Sequence, residues 1–232
     1  MPGGASPDAT SAPSRPRHAT RPVRLVVLAG PTAVGKGAVA AWIRAHRPDV
    51  WLSVSATTRH PRPGEIEGRH YHFLSDAEFS ARVEAGDFLE WATVHGRNRY
   101  GTLRGPVEKA LTAGTPVLLE IDLQGARQVR ETMPDAVFVF LAPPSWDELE
   151  RRLVGRGTES LAERETRLAT ARVELAAASE FDHVIVNDDV RRASEELVSL
   201  MGSPAPPGDH RGTDRPADAP AALCAEPGAG TA

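Results

Sequence analysis

The feature that most constrains the fold is a strand, a glycine-rich turn and a helix that follow one another directly. Residues 23–30 read VRLVVLAG, a continuous apolar run that ends in glycine. Such a run is typical of a parallel strand that is buried on both faces. Residues 36–46 carry Val39, Trp42 and Ile43 at helical spacing and stop before a proline, which predicts a helix. This strand–turn–helix unit is the building block of parallel α/β sheets.

Strands and helices continue to alternate along the chain. Strand patterns lie at 51–59, 116–122, 136–143 and 183–187, and helical patterns lie at roughly 104–113, 123–132, 145–153, 162–178 and 190–201. The alternation predicts an α/β fold in which helices flank a parallel sheet on both faces. Residues 55–103 interrupt it with short apolar stretches, charges and turn signals. We expect a small, inserted, mostly β subdomain there, over the carboxyl edge of the sheet, where such folds bind ligands.

The two ends of the chain differ from its middle. Residues 1–22 contain no Val, Ile, Leu, Phe or Trp, and residues 203–232 contain Leu223 alone from that set. Such segments bury too little apolar surface to offset the entropy lost on ordering. We therefore expect two disordered tails around a folded unit at 23–202, with a core formed by 23–54 and 104–202 and an insert at 55–103.

Composition narrows the class of protein further. The only cysteine, Cys224, lies in the C-terminal tail, which excludes an intramolecular disulfide. No apolar run reaches transmembrane length, and the N-terminus lacks the apolar core of a signal peptide. The formal net charge of −4 does not indicate nucleic-acid binding. We expect a cytoplasmic protein without a nucleic-acid or membrane partner, and the oligomeric state stays open.

The turn after the first strand has the spacing Gly30-x-x-x-x-Gly35-Lys36. Glycines let backbone N–H groups turn inward at a helix N-terminus, where they cradle phosphate oxygens, and the lysine adds a positive charge. The chain has 25 arginines and only two lysines, one of which is Lys36. The alternative is an ordinary glycine-rich turn with a solvated lysine. Gly37 and Ala38 stand where Ser or Thr normally helps to hold magnesium.

A basic loop follows in the sequence SATTRHPRPGE at 55–65. Arg59 and Arg62 lie three residues apart, beside two prolines that stiffen the loop. Guanidinium groups grip phosphate through two parallel hydrogen bonds, so the loop is a candidate phosphate site. The alternative is a solvated basic loop.

The stretch FLEWATVHGRNRYGT at 88–102 places Glu90 between apolar neighbours. A carboxylate that points into a pocket could accept both the N1–H and the exocyclic amino group of guanine, a donor pair that adenine lacks. The alternative is an edge-strand glutamate that faces water. Downstream, the strand in LLEIDLQG at 118–125 ends in Glu120 and Asp122, which could hold the waters of a metal ion or a substrate.

The segment RRLVGRGTES has Arg156 between Gly155 and Gly157, and Arg167 follows on the next helical pattern. Glycines around an arginine between two helices indicate a mobile lid, which we place at about 154–166. The alternative is an ordinary helix–helix loop.

In their order along the chain, these motifs resemble those of the guanylate kinase family. The matching phrases are GPTAVGK, SVSATTRHPRPGE, YHF, FLEWA, RYGT, LEIDLQGA, FLAPPS, GRGTE and VIVND, which span roughly residues 25–188. The resemblance implies a P-loop nucleoside-monophosphate kinase fold with a GMP-binding insert and a lid. It also implies transfer of the γ-phosphoryl group of ATP to GMP, and to dGMP, with Mg²⁺, in purine nucleotide recycling.

The resemblance further implies the roles of particular residues, carried over position by position. The ATP-binding set is Gly30, Pro31, Thr32, Ala33, Val34, Gly35, Lys36, Gly37 and Asn187, the last near the adenine. The GMP-binding set is Ser55, Arg59, Arg62, Tyr71, Glu90, Tyr100, Thr102 and Asp122. The catalytic set is Lys36, Arg59, Arg156 and Arg167. The family often has serine at position 102, and threonine keeps the hydroxyl.

The loop departs from the family pattern at Gly37 and Ala38, where Ser and Thr usually stand. We expect Mg²⁺ to be held through water near Asp122 instead. Two alternatives stay open beside an active kinase. One is a nucleotide-binding regulatory protein that kept the fold but lost efficient catalysis, and the other is a kinase for a different small acceptor.

Overall fold

The computed structural model describes residues 24–94, 98–154 and 161–202. The predicted tails at 1–22 and 203–232 lie outside the described residues, as does Arg156 of the predicted lid. None of the helices in the described ranges is long and apolar enough to span a bilayer.

Nine strands and seven α-helices make up the described ranges. In chain order they are β1 Leu25–Ala29, α1 Lys36–His46, β2 Trp51–Leu52, β3 Ala56–Thr57, β4 His72–Phe73, α2 Asp76–Glu84, β5 Phe88–Val94, β6 Asn98–Leu103, α3 Arg104–Thr112, β7 Val117–Glu120, α4 Leu123–Thr132, β8 Val137–Ala142, α5 Trp146–Val154, α6 Leu161–Ala176, β9 His183–Val186 and α7 Val190–Ser199. A short 3₁₀ helix, Ala177–Glu180, follows α6.

The core is a five-stranded, all-parallel sheet in the order β2-β7-β1-β8-β9. This confirms the predicted α/β fold. Because β1 lies at the centre, between β7 and β8, the turn that follows it opens at the middle of the carboxyl edge. That edge is where ligands bind in doubly wound sheets.

Alternate side chains of the central strands pack on opposite faces of this sheet. On one face Val26 and Leu28 of β1 contact the buried side of α1 and α7, which includes Ile43 and Leu197. On the other face the neighbouring β1 residues, such as Val27, pack against α3 and α4, while α5 and α6 cover the part under β8. Both faces of the sheet are therefore buried under helices, as the continuous apolar strands predict.

A second sheet of four strands, in the order β4-β3-β6-β5, is formed wholly by residues of the predicted insert. It is mixed, since β3 pairs in parallel with β4 while β6 runs antiparallel to both β3 and β5. Helix α2 covers it, and Phe79 stacks on Phe88 with ring centroids 4.5 Å apart.

Two details of the insert differ from the sequence prediction. The strand predicted at 51–59 is broken, because β2 ends at Leu52 in the first sheet and β3 begins at Ala56 in the second. Helix α2 was not predicted, although its start has a recognisable signal. Ser75 and Glu78 form a capping box, in which each side chain bonds to the other's backbone N–H.

Candidate functional site

The turn between β1 and α1 has a backbone that only glycine accommodates at two positions. Gly30 has φ 152°, and a Cβ there would lie 2.4 Å from the carbonyl oxygen of Leu141. Gly35 has φ 102°, and its Cβ would lie 2.5 Å from Nδ2 of Asn187. The spacing of the two glycines thus reflects close packing of the turn against β8 and the end of β9.

Lys36 is the first residue of α1, and its side chain curls back over the turn. Its Nζ donates to the carbonyl oxygens of Gly30 at 2.7 Å and Pro31 at 3.2 Å. Burial lowers the pKa of Lys36, while the negative charges of Glu174, Glu120 and Asp122 oppose that shift. The ammonium group is thereby fixed at the helix N-terminus, where an anion would be stabilised.

Three side chains from distant parts of the chain support the turn. Val34 O accepts hydrogen bonds from Asn187 Nδ2 at 2.8 Å and from Arg152 Nη1 at 3.2 Å. The backbone N–H of Thr32 donates to the carboxylate of Glu174 at 3.0 Å. Sequence reasoning missed Arg152 and Glu174, because only folding brings α5 and α6 to the turn.

Asn187 was expected near the adenine, and the structure places it beneath the turn. It is 3 % exposed, and its Oδ1 has no hydrogen-bond partner in the described part of the chain. An adenine contact by Asn187 stays a prediction, and its bond to Val34 O is a structural role that the sequence did not indicate.

The acidic end of β7 lies beside the turn. A Cβ added to Gly37 would lie 3.7 Å from Oε1 of Glu120, so the space that a hydroxyl would fill borders this carboxylate. Reduced hydration raises the pKa of Glu120, and the charges of Lys36 and Arg44 oppose the rise. Asp122 follows as the N-cap of α4, where its Oδ1 accepts from the N–H of Gly125 at 2.7 Å.

Glu90 on β5 is buried, as the sequence predicted, and is 7 % exposed. It pairs across the sheet with Thr102 of β6, whose Oγ1 donates to Oε1 at 2.6 Å. Burial raises the pKa of Glu90 to about 7, and the negative charge of Asp122 adds to this rise. The hydrogen bond from Thr102 acts in the opposite direction and lowers the pKa. A Cβ on Gly125 would lie 2.9 Å from the other carboxylate oxygen, so the glycine at the start of α4 makes room for Glu90.

Arg59, Tyr71 and Tyr100 form a polar cluster on the same sheet. The guanidinium of Arg59 lies 5.3 Å from the centroid of the Tyr71 ring, and the two tyrosine rings meet edge to face at 6.0 Å. Glu65 holds Arg59 through two hydrogen bonds, at 2.8 and 3.0 Å. This contact raises the pKa of Arg59, so the group stays cationic. Sequence reasoning quoted Glu65 within its motif but assigned it no role.

The structure also describes three further predicted residues. Arg62 is exposed, and its backbone N–H donates to Glu65 at 2.7 Å. Ser55 immediately precedes β3, and its carbonyl accepts from His72 N at 2.9 Å. Arg167 lies on an exposed face of α6, the helix that also carries Glu174.

The fold and the site together define a class of protein. A glycine-rich turn with a lysine at the centre of a parallel sheet, beside a separate sheet with an arginine–tyrosine cluster, is the arrangement of P-loop nucleoside-monophosphate kinases. The family profile described as guanylate kinase matches residues 22–203. The chain belongs to the guanylate kinase family.

Individual relatives agree with this assignment. The chain is 63 % identical over 185 residues to a guanylate kinase of Leifsonia xyli subsp. xyli, which covers 78 % of this chain and 73 % of that relative. It is 59 % identical over 185 residues to the guanylate kinase of Thermobifida fusca, with coverage of 80 % and 94 %. The crystal structure of guanylate kinase from Anaplasma phagocytophilum superposes with a TM-score of 0.60 at 32 % identity, covering 78 % of this chain and 86 % of that one.

Proposed function

We propose that this protein is a cytoplasmic guanylate kinase, which transfers the γ-phosphoryl group of ATP to GMP or dGMP and releases ADP and the nucleoside diphosphate. High identity to named guanylate kinases over nearly the whole matched region supports this activity. The site supports it independently, because the glycine-rich turn with Lys36 suits phosphate binding and the buried Glu90 with Thr102 suits base recognition. We call these the donor half and the acceptor half.

One observation carries the proposal: Asp122 lies between the two halves. A Cβ on Gly125 would lie 3.3 Å from Oδ1 of Asp122 and 2.9 Å from Oε2 of Glu90, so the two carboxylates are neighbours, and the negative charge of Asp122 also opposes the lowering of the Lys36 pKa. A donor nucleotide on the turn and an acceptor nucleotide on the sheet would therefore meet beside Asp122. Phosphoryl transfer needs this juxtaposition more than it needs covalent help from the protein.

The acceptor half suits a guanine nucleotide. Glu90 accepts from Thr102 on one carboxylate oxygen, and the remaining acceptor sites of the carboxylate could accept from both guanine N1–H and its amino group. Adenine offers no such donor pair, so its complex would leave a buried acceptor unpaired. Arg59, Arg62, Tyr71 and Tyr100 would hold the phosphate of GMP. Ser55, just before β3 of the same sheet, would contact the guanine together with Glu90 and Thr102.

The donor half suits a nucleoside triphosphate. Backbone N–H groups of 30–37 and the Lys36 ammonium would neutralise the phosphate oxygens as charge develops on them. Arg156 of the predicted lid and Arg167 of α6 would add positive charge, and Asn187 would border the adenine. These groups orient the reacting oxygens and exclude water, and no side chain needs to act as a nucleophile.

The acidic groups beside the turn fit a magnesium ion that is held through water. Carboxylate oxygens are the ligands that Mg²⁺ prefers, and the ion usually keeps several waters. Glu120 and Asp122 would bind those waters, since positions 37 and 38 have no hydroxyl. When bound, Mg²⁺ would reduce the negative charge on the phosphate oxygens.

A coupled assay of ADP formation tests the proposal. The purified chain is given ATP and Mg²⁺ with GMP, dGMP, AMP, CMP or UMP as the acceptor. We expect turnover with GMP and dGMP and little with the others. Binding of GMP without turnover would instead support a regulatory protein, and turnover confined to AMP or a pyrimidine nucleotide would show a different acceptor.

A further inference from the structure

We propose that Gln128 of α4 is a positioning residue for guanine recognition, an inference that rests on the proposed function. Its side-chain Oε1 accepts from the backbone N–H of Trp91 at 3.0 Å, and its Nε2 donates to the carbonyl oxygen of Trp91 at 3.0 Å. One side chain thus satisfies both backbone polar groups of the residue that follows Glu90.

We call this pair of hydrogen bonds the Gln128 clamp. The position of Trp91 at the edge of the second sheet explains why its backbone needs these partners. Strand β5 is the last strand of the second sheet as the structure describes it, with β6 on one side only. In antiparallel pairs, every second residue directs its N–H and C=O away from the neighbouring strand. Trp91 is such a residue, because both groups bond to Gln128. The amide of Gln128 takes the place of a further strand and limits movement of this edge.

The same face of α4 contacts three consecutive residues of β5. Gly125 lies against the Glu90 carboxylate, Gln128 holds Trp91, and Thr132 Oγ1 lies 3.3 Å from the carbonyl oxygen of Leu89. Positions 125, 128 and 132 are spaced by three and four residues, so they share one helix face. This face of the core helix therefore determines where β5 presents Glu90.

Of these three residues of α4, only Gln128 forms two hydrogen bonds to the backbone of β5, within the part of the chain that the structure describes. The Glu90 carboxylate has to meet guanine donors at hydrogen-bond distance, and shifts of about 1 Å weaken such recognition strongly. Loss of the clamp would let the backbone at Trp91 move and would misplace Glu90. The phosphate-binding turn lies on other elements, so ATP binding should be largely unaffected.

The test compares Gln128→Met and Gln128→Ala with the unmodified enzyme. Methionine keeps the length and packing of the side chain but removes both hydrogen bonds. We expect either change to raise the KM for GMP about tenfold, the effect of two net hydrogen bonds. The KM for ATP and kcat should change by less than about twofold, a split that a general loss of folded protein would not produce.

A second readout is selectivity for GMP over IMP, which lacks the 2-amino group. A misplaced Glu90 should reduce this selectivity, so Gln128→Met should move toward the ratio measured for Glu90→Gln. Gln128→Glu should show the same raised KM for GMP and reduced selectivity, because one of its carboxylate oxygens would face the Trp91 carbonyl oxygen. The matched control is Glu131→Ala, an exposed position on the same helix that belongs to neither nucleotide site.

The outcomes separate this inference from the proposed function. If the unmodified enzyme phosphorylates GMP and Gln128→Met has an unchanged GMP KM and GMP-over-IMP ratio, the inference is wrong and the function stands. An equal rise in the KM for ATP would also overturn it. Should a variant lose stability, GMP and ATP affinities are measured by calorimetry at low temperature, where selective loss of GMP affinity supports the proposal. Absence of GMP binding by the unmodified chain would refute the function and the inference with it.

Discussion

Replacement of Glu90 by glutamine should stabilise the nucleotide-free protein while it weakens GMP binding. Glu90 is 7 % exposed, and burial raises its pKa from 4.5 to about 7. A glutamine oxygen could still accept from Thr102 Oγ1, and its amide could donate toward Asp122. The change therefore removes the charge and keeps the packing.

The size and sign of the effect follow from linkage between protonation and folding. Between pH 4.5 and about 7, the folded protein holds a proton on Glu90 that the unfolded chain has lost. This stability is fully present below pH 4.5 and is lost as the pH rises through about 7. At about 1.36 kcal/mol for each pH unit, the loss approaches about 3 kcal/mol at pH 8. The glutamine variant should escape this loss.

The assay is urea unfolding without nucleotide, followed by tryptophan fluorescence at several pH values between 5 and 8. We expect the variant to exceed the unmodified protein by up to about 3 kcal/mol at pH 8, with the difference shrinking toward pH 5. GMP affinity, measured by calorimetry at pH 8, should fall about 10- to 100-fold, the value of a hydrogen bond to a charged group. ATP affinity should be unchanged.

Glu131→Gln is the control, since Glu131 is exposed on α4 and should match the unmodified protein at every pH. A stability difference between the Glu90 variant and the unmodified protein that did not depend on pH would refute the reasoning from burial. Unchanged GMP affinity would remove Glu90 from the base pocket.

Three further changes test other parts of the site. Gly125→Ala would place a Cβ 2.9 Å from the Glu90 carboxylate, so we expect a raised KM for GMP and an unchanged KM for ATP in steady-state assays. Glu174→Gln keeps an acceptor for Thr32 N–H but removes a negative charge beside Lys36, so the KM for ATP should fall a few-fold; a rise would show that the negative charge itself is needed for ATP binding. Gly37→Ser has room for its Cβ beside Glu120, and we expect equal or higher kcat with a lower Mg²⁺ requirement in a metal titration, whereas a large loss would contradict the assignment of this turn.

Sequence periodicity was sufficient for the core of the fold. Continuous apolar strands that alternate with amphipathic helices admit few arrangements other than a parallel sheet covered on both faces, and the structure has that sheet. Helix α4 was predicted at its observed bounds, because its apolar spacing is a local feature of the sequence. The broken strand at 51–59 was missed, since the change of sheet between Leu52 and Ala56 depends on partners far along the chain.

The candidate site shows the same difference between features that local sequence predicts and features that depend on distant residues. By itself, the sequence determined the glycine-rich turn with Lys36 and the basic loop with Arg59, because each depends on residues close together in the chain. It placed Glu90 between apolar neighbours but left open whether the side chain faces a pocket or water, and the structure decided that it is buried. Only the tertiary structure decided that Asp122 stands between the two halves, that Arg152 and Glu174 reach the turn, and that Gln128 clamps the strand bearing Glu90. The physical reason is distance along the chain: the hydrogen bonds among these contacts join residues 37 to 142 positions apart, and no local pattern records them.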